Sequence, residues 1–315
     1  MKLYPVEVID FQDMFPSEQA CVEYLFRIRW PEGFVCSKCK HKEFWKKKSG
    51  IYRCKKCRQD TSLTAGTLFQ DSRLSLRLWF QALWYVVCQK QGVSALGLKG
   101  ILGLRSYKTA WEWLHKLRRA MVRHGRDRLS GTVEVDEIFI GGPRGGKSGR
   151  GAYAKVLVLV AVEDKGGKNI GRIRLTIIPD ASHVSLVRAI KQMIEPESTV
   201  RTDGWRGYSG LEKDGYKHVI TDKDTAEVGE NLTPLAHRIA SLLKRWLLNT
   251  HQGAVNHTHL SYYLDEYTFR FNRRTSKSRG LLFYRLIQQA VANNPVIGEK
   301  LKFEQPKKAK GVSSG

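Results

Sequence analysis

The chain has 315 residues, enough for two or three domains, and carries 54 Lys and Arg against 30 Asp and Glu, a formal net charge of +24. That balance says nothing about fold but favours a polyanionic partner, nucleic acid by default, with a generally basic soluble protein as the alternative. No apolar run reaches the ~18 residues of a membrane helix, since the longest, Val156 to Val162, is strand-sized; the start, Met1-Lys2-Leu3-Tyr4-Pro5, lacks a signal-peptide hydrophobic region, so a cytoplasmic protein with no membrane partner is expected.

Residues 1–70 read as a short helix, Ser17 to Arg27, followed by Cys36-Ser37-Lys38-Cys39 and Cys54-Lys55-Lys56-Cys57. The two C-x2-C turns are separated by fourteen residues. Each turn offers two thiolates to one ion, and together they complete a tetrahedral structural Zn2+ site. Phe44-Trp45 and Ile51-Tyr52-Arg53 suit the strands of a zinc ribbon. So small a region has little core, and the metal is expected to hold it together. The lysines and arginines around the turns favour DNA contact, with a structural or protein-docking ribbon as the alternative. Cys21 and Cys88 lie in apolar helical patterns and are expected to be buried free thiols.

Residues 71–128 are helical. From Leu74 to Gln89 the apolar residues Leu76, Trp79, Phe80, Leu83, Val86 and Val87 recur on a helical period. A second helix runs from Gly92 to Ile101. Gly103-Leu104-Arg105-Ser106 then turns into a third, Tyr107 to Arg123, with Ser106 as its cap and Trp111, Leu114, Leu117 and Met121 as its buried stripe. Short helices joined by a glycine-containing turn fit a helix-turn-helix. Between Lys99 and Arg126 stand eight basic residues, Arg118 and Arg119 among them, against one acid, Glu112, so this region is expected to touch DNA; an ordinary bundle with a solvated basic face is the alternative.

Residues 129–295 alternate strands and helices. Thr132 to Ile140 reads as a strand with Glu134, Asp136, Ile138 and Ile140 on one face by the period of two. Further strands are expected over Ala154 to Val162, Ile170 to Ile178 and Val200 to Thr202, with helices over His183 to Ile194, Leu235 to Leu248 and Leu260 to Phe271. This order resembles an RNase H-like α/β core, a mixed sheet with flanking helices, in which acids from the first and fourth strands meet. Asp136 and Asp203 occupy those positions, each on an apolar, β-branched run where a carboxylate is costly without a partner. A shared hard cation is the commonest such partner, so Mg2+ or Mn2+ on Asp136 and Asp203 is expected, acting on phosphodiesters. Gly141 to Ser148 formally matches the phosphate-loop pattern G-x4-G-K-S, but Gly149-Arg150-Gly151 and then a strand follow where that motif needs a helix. The segment reads instead as a basic loop beside Asp136, with Lys147 and Arg150 able to follow a DNA backbone, or as a plain flexible hairpin. Residues 296–315 read as a basic disordered tail.

In order along nearly the whole chain, the ribbon, Thr67-Leu68-Phe69 with Trp79-Phe80, V-E-V-D-E-I-F-I-G-G, T-D-G-W-R-G-Y, H-R-I-A-S-L-L-K-R-W-L-L-N-T-H-Q-G-A-V and L-D-E-Y-T-F-R-F-N-R-R are similar to the DDE-type insertion-sequence transposases of the zinc-ribbon, ISXO-like kind. The resemblance implies that Asp136 and Asp203 are the first two catalytic acids. Relatives carry Glu or Asn ahead of a Lys on the helix after the second Asp; Lys244 fits the Lys and implies a contact to a DNA phosphate. Seven residues before it, on the same helical face, stands His237, which takes the place of the third ligand, with Asn249 and Glu230 as substitutes; Leu242 stands where some relatives have Asn. Glu266, Arg270 and Arg273 match a Glu-Arg-Arg signature on one helical face, implying that Glu266 orients Arg270 toward a phosphate; a surface ion pair is the alternative. The resemblance further implies double-stranded terminal inverted repeats and target DNA as partners, a dimer or larger assembly to hold two ends, and a prokaryotic, nucleoid-associated location. Two other functions stay open: an RNase H-like nuclease without strand transfer, and a zinc-ribbon DNA-binding protein whose catalytic core has decayed.

Overall fold

The computed structural model describes residues 3–123, 125–141, 155–167, 169–221, 232–251 and 257–295. Their helices in chain order are α1 (Val8–Met14), α2 (Glu18–Arg29), α3 (Leu76–Cys88), α4 (Ala95–Leu102), α5 (Tyr107–Ala120), α6 (His183–Met193), α7 (Pro234–His251), α8 (Leu260–Phe271) and α9 (Arg279–Ala292), with three short 3-10 turns. The strands are β1 (Phe44–Lys46), β2 (Tyr52–Cys54), β3 (Asp60–Thr61), β4 (Thr132–Ile140), β5 (Val156–Asp164), β6 (Ile170–Ile178), β7 (Thr199–Thr202) and β8 (Lys217–Ile220). They fall into two compact units, Met1–Arg123 with Ser276–Gly315, and His124–Thr275. The boundary expected at residue 295 therefore moves: α9 packs on α2, α3 and α5, because Phe283 completes an aromatic cluster with Phe11, Phe15, Phe80 and Trp84.

In the first unit, Ser17 caps α2 by accepting from the Ala20 amide (3.3 Å). The antiparallel ribbon β1-β2-β3 follows. The six apolar residues expected along α3 are all buried. Of the stripe expected on α5, Leu114, Leu117 and Met121 are buried; Trp111 is partly exposed, and Trp113 is buried, stacked on Trp79 with ring centroids 3.7 Å apart. Gly103 ends α4 in the left-handed conformation (φ 62°), which makes the expected sharp turn into α5. Ser106 occupies the first cap position of α5 without a side-chain cap bond. Cys21 is buried as expected, whereas Cys88, at the end of α3, is partly exposed.

The second unit is a five-stranded mixed sheet in the order β6-β5-β4-β7-β8. The pairs β6-β5 and β5-β4 are antiparallel, and β4-β7 and β7-β8 are parallel. Strands β4 and β6 match the sequence expectation to the residue; β8, a short, mostly exposed edge strand, gave no pattern. One face of the sheet, through Val133, Val135, Leu159 and Val200, packs on α6. The other, through Ile138, Ile140, Val158 and Val160, packs on α7 and α8. This is the RNase H-like arrangement, with β4 at its centre and β5, buried on both faces, beside it. Among the described residues no helix is long and apolar enough to cross a membrane.

Candidate metal centres

The four ribbon cysteines converge, their ligand atoms all within 4.8 Å of one another. Cys36 Sγ lies 3.6 Å from Cys57 Sγ, and Cys39 Sγ 3.6 Å from Cys54 Sγ, edges that suit a tetrahedron with Zn–S bonds of about 2.3 Å. The two turns are built alike. The Lys40 amide donates to the Cys36 carbonyl and the Arg58 amide to the Cys54 carbonyl, at 3.0 and 3.1 Å. Lys40 and Arg58 both take φ of 60°, the left-handed region that side chains seldom enter, which turns each pair of thiols toward a common point. The backbone amide of Cys39 lowers the Cys36 thiol to about 6, favouring the thiolate that zinc needs. Phe34, Phe44 and Tyr52 close over the ribbon from one side, with Trp30 and Phe26 of α2 against them.

The second centre is assembled by the sheet of the other unit. β4 and β7 pair in parallel from Thr132↔Thr199 to Glu134↔Arg201. Continued by two residues, that register sets Asp203 beside Asp136 on the neighbouring strand, about 4.8 Å being the spacing of paired strands. Gly204, at φ 78°, turns the chain away directly after Asp203; a Cβ there would also meet Ile220 Cγ2 at 2.8 Å. The Trp205 amide donates to Asp203 Oδ1 (3.0 Å). Asp136 is buried, and its Oδ1 accepts from the Glu137 amide (2.8 Å). Its Oδ2 takes two partners, the Thr233 hydroxyl at 2.8 Å and His237 Nε2 at 2.9 Å. Burial raises the Asp136 carboxyl above the usual carboxylate range; the Thr233 hydroxyl and His237 oppose that rise, and the neighbouring Asp203 charge adds to it. Two acids that disfavour each other's charge in a half-dry site are the donor set a hard divalent cation relieves. Among the described residues, however, only the cysteines bring three or more ligand atoms within 4.8 Å of one another.

Helix α7 carries His237 and Lys244, two turns apart and both exposed, with Asn249 exposed farther along and Leu242 packed against the core. On α8, Glu266 and Arg270 form a buried pair, Nη2 to Oε1 2.7 Å and Nε to Oε1 2.8 Å, which removes the surface ion-pair alternative. Arg273 lies over the Phe269 ring (4.3 Å). The expected DNA contact at Arg118 is corrected: it is 2% exposed, with Nη1 3.2 Å from His115 Nδ1, because its position falls within the buried face of α5. Arg119 is exposed. Lys147, Arg150, Glu230 and the tail 296–315 lie outside the described residues.

Three residues escaped the sequence reading. Thr233, in Thr-Pro ahead of a helix, carried a cap signature, but nothing in it pointed to Asp136. Tyr208 is buried and donates to Glu137 Oε2 (2.6 Å); burial and that carboxylate hold its hydroxyl protonated. Glu134 was placed on the correct face without a partner.

Comparison with known proteins adds to this geometry. Residues 128–272 match the model of the ISXO2-like transposase domain, and residues 16–60 match that of a transposase zinc-ribbon domain. The chain is also 28% identical over 280 residues, 81% of its own length and 91% of the relative's, to an uncharacterized protein in transposable element ISH50 of Halobacterium salinarum.

Proposed function

Given that the chain belongs to the ISXO2-like transposases with an N-terminal zinc ribbon, we propose that it binds the terminal inverted repeats of an insertion sequence and catalyses metal-dependent cleavage and strand transfer of DNA. What supports this reading is the parallel β4-β7 register, Thr132↔Thr199 to Glu134↔Arg201, which continued by two residues leads to Asp136 and Asp203. Those two carboxylates would hold a catalytic Mg2+ or Mn2+, with His237 as third ligand; a cation there would supply activation of an attacking water or 3′-hydroxyl oxygen and stabilisation of the leaving oxygen.

The protein's own groups position the DNA. Thr233 and the Glu137 amide aim the Asp136 carboxylate. Lys244, two helical turns from His237 on an exposed face, neutralises a phosphate near the cut. Arg270, steadied by buried Glu266, and Arg273 and Arg119 meet further phosphates, as do Lys147 and Arg150, which follow β4 in the sequence. The zinc ribbon contacts the end sequence. Two ends must be held together, so the working form is a homodimer or larger assembly, acting on DNA in the nucleoid of a prokaryotic cell.

One observation favours a second reading, a decayed catalytic core: the third ligand position offers an imidazole, already bonded to Asp136, where Mg2+ prefers oxygen. A cleavage and joining assay on duplexes carrying the element's ends, with Mg2+ or Mn2+, separates the possibilities. Transposition predicts both products, a nuclease only the first, and a decayed core neither. Asp136→Ala and Asp203→Ala are expected to abolish both steps while a gel shift still reports DNA binding; cleavage retained in either variant overturns the mechanism.

A further inference from the structure

Glu134 lies two residues before Asp136 on the same face of β4 and has no accessible surface. An ionised carboxylate in such a place is costly unless every lone pair is used. Both of its oxygens are engaged. Oε1 accepts from the Ala236 amide, in the first turn of α7 (2.7 Å), and Oε2 accepts from Arg201 Nη2 (2.7 Å). Arg201 reaches on to Asp164 Oδ2 on β5 (3.0 Å). These partners sit next to the groups of the catalytic centre. Ala236 directly precedes His237 and follows Thr233 by three residues. Arg201 is two residues before Asp203 and is the last residue of β7 paired with β4, opposite Glu134 itself.

We infer that Glu134 is a positioning residue: a single buried carboxylate that ties together the three elements bearing Asp136, Asp203 and His237. The inference rests on the metal-centre reading above. With both oxygens already committed, Glu134 does not act as a further ligand. Apolar packing covers both faces of the sheet, but packing is non-directional and tolerates a slide of α7 along β4. A charge-assisted bond to one particular amide at a helix N-terminus does not tolerate it. The carboxylate sets where the first turn of α7 lies, and its arginine sets where β7 lies, so the distance between the ligand side chains follows from one group.

The test is Mn2+ binding to the zinc-loaded, DNA-free full chain, read from the electron paramagnetic resonance of free Mn2+ at a temperature far below unfolding, with thermal unfolding measured in parallel. Glu134→Gln keeps the shape and one acceptor for Ala236 but turns a donor toward Arg201. It is expected to weaken Mn2+ binding about tenfold or more, the scale on which groups supporting metal ligands act. A purely structural residue would lower the melting temperature and leave the affinity of the folded protein unchanged. Should Glu134→Gln not fold, Arg201→Lys decides: its shorter side chain draws the donor back from the Nη2 position that bonds both Glu134 and Asp164, and a weaker Mn2+ affinity is again expected. Binding within twofold of wild type in the folded variant, with Asp136→Ala having lost it, overturns the inference alone. Wild type binding no more Mn2+ than Asp136→Ala overturns the metal-centre reading, and the inference with it.

Discussion

The two candidate metal centres of this protein are specified by different means. The ribbon's four ligands come from two turns within 22 residues of chain, and each turn's own hydrogen bonds and left-handed residue aim its thiols. Asp136, Asp203 and His237 span about a hundred residues and are brought near one another only by the parallel β4-β7 register and the docking of α7. The thiols of Cys36 and Cys57 are met by backbone amides of their own turns, whereas the Asp136 carboxylate is bonded to an amide, a hydroxyl and an imidazole, the last two from elements far along the chain. The ribbon is therefore expected to depend on its metal to fold, while the carboxylate centre would depend on its fold to hold metal.

The largest expected effect breaks the first half of that contrast if it fails. Structural zinc contributes about 10–16 kcal/mol in comparable peptides, more than a ribbon of three short strands recovers from burial. Chelation, or Cys54→Ser, is expected to release the zinc and make the segment around residues 34–61 protease-sensitive, with the sheet of the second unit still melting cooperatively. A zinc-free ribbon that resists proteolysis would mean that Phe34, Phe44 and Tyr52 suffice as a core. Next in size is Asp203→Asn, which keeps an acceptor for the Trp205 amide but removes the ligand charge. Cleavage of end duplexes is expected to fall by orders of magnitude, while circular dichroism and melting temperature stay near wild type; a parallel loss of fold would make Asp203 structural.

The same contrast explains what was legible in the sequence. C-x2-C spacing is a local fact, so the ribbon could be read from it. β4 and β6 are nine-residue segments rich in β-branched residues and matched to the residue, as did the buried stripe of α3. Asp136 and Asp203 stood out because acids are rare in such runs. Pairings made across the fold left no trace: Glu134 meets Ala236 from 102 residues away, and Thr233 meets Asp136 from 97. On α5 the stripe of Leu114, Leu117 and Met121 was legible, but the choice of Trp113 over Trp111 depends on the stack on Trp79, a contact made across the fold. Arg118 was misplaced because the buried face is wider than that stripe, and a basic residue at its margin gave no sign of burial.

A smaller effect sharpens the account of the third ligand. His237→Ala is expected to reduce Mg2+-dependent cleavage on the order of 10–100-fold, the range for a side chain that binds or orients a metal. His237→Glu is expected to recover much of that loss with Mg2+, since oxygen suits this ion better than imidazole nitrogen. If alanine cleaves as well as wild type, His237 is only a hydrogen-bonding partner of Asp136, and the third ligand lies elsewhere.

The smallest effects separate a carboxylate kept for chemistry from one kept for the fold, within one sheet. Burial pushes Glu163 up, but the Arg172 guanidinium and amide and the Ser130 amide outweigh it and hold the carboxyl below its usual range. Its stabilisation is thus full above the unfolded value of about 4.3 and is lost as pH falls through the lower folded value. Asp136 has the opposite sign. Its folded pKa is raised, so metal-free stability declines as pH climbs from the unfolded value of about 3.9 through the folded one. At neutral pH Glu163→Gln is expected to cost about 1–3 kcal/mol, the range for hydrogen bonds to a charged group, and to flatten the acid limb of the stability curve. Asp136→Asn keeps an acceptor for the Glu137 amide and offers an amide N–H that the Thr233 hydroxyl can accept, while removing the disfavoured charge, so the metal-free protein is expected to melt higher, by up to a few degrees. Denaturant titrations from pH 3 to 8 read both; an Asp136→Asn variant less stable than wild type at pH 7 would mean that His237, rather than a metal, is the partner for which that carboxylate is kept.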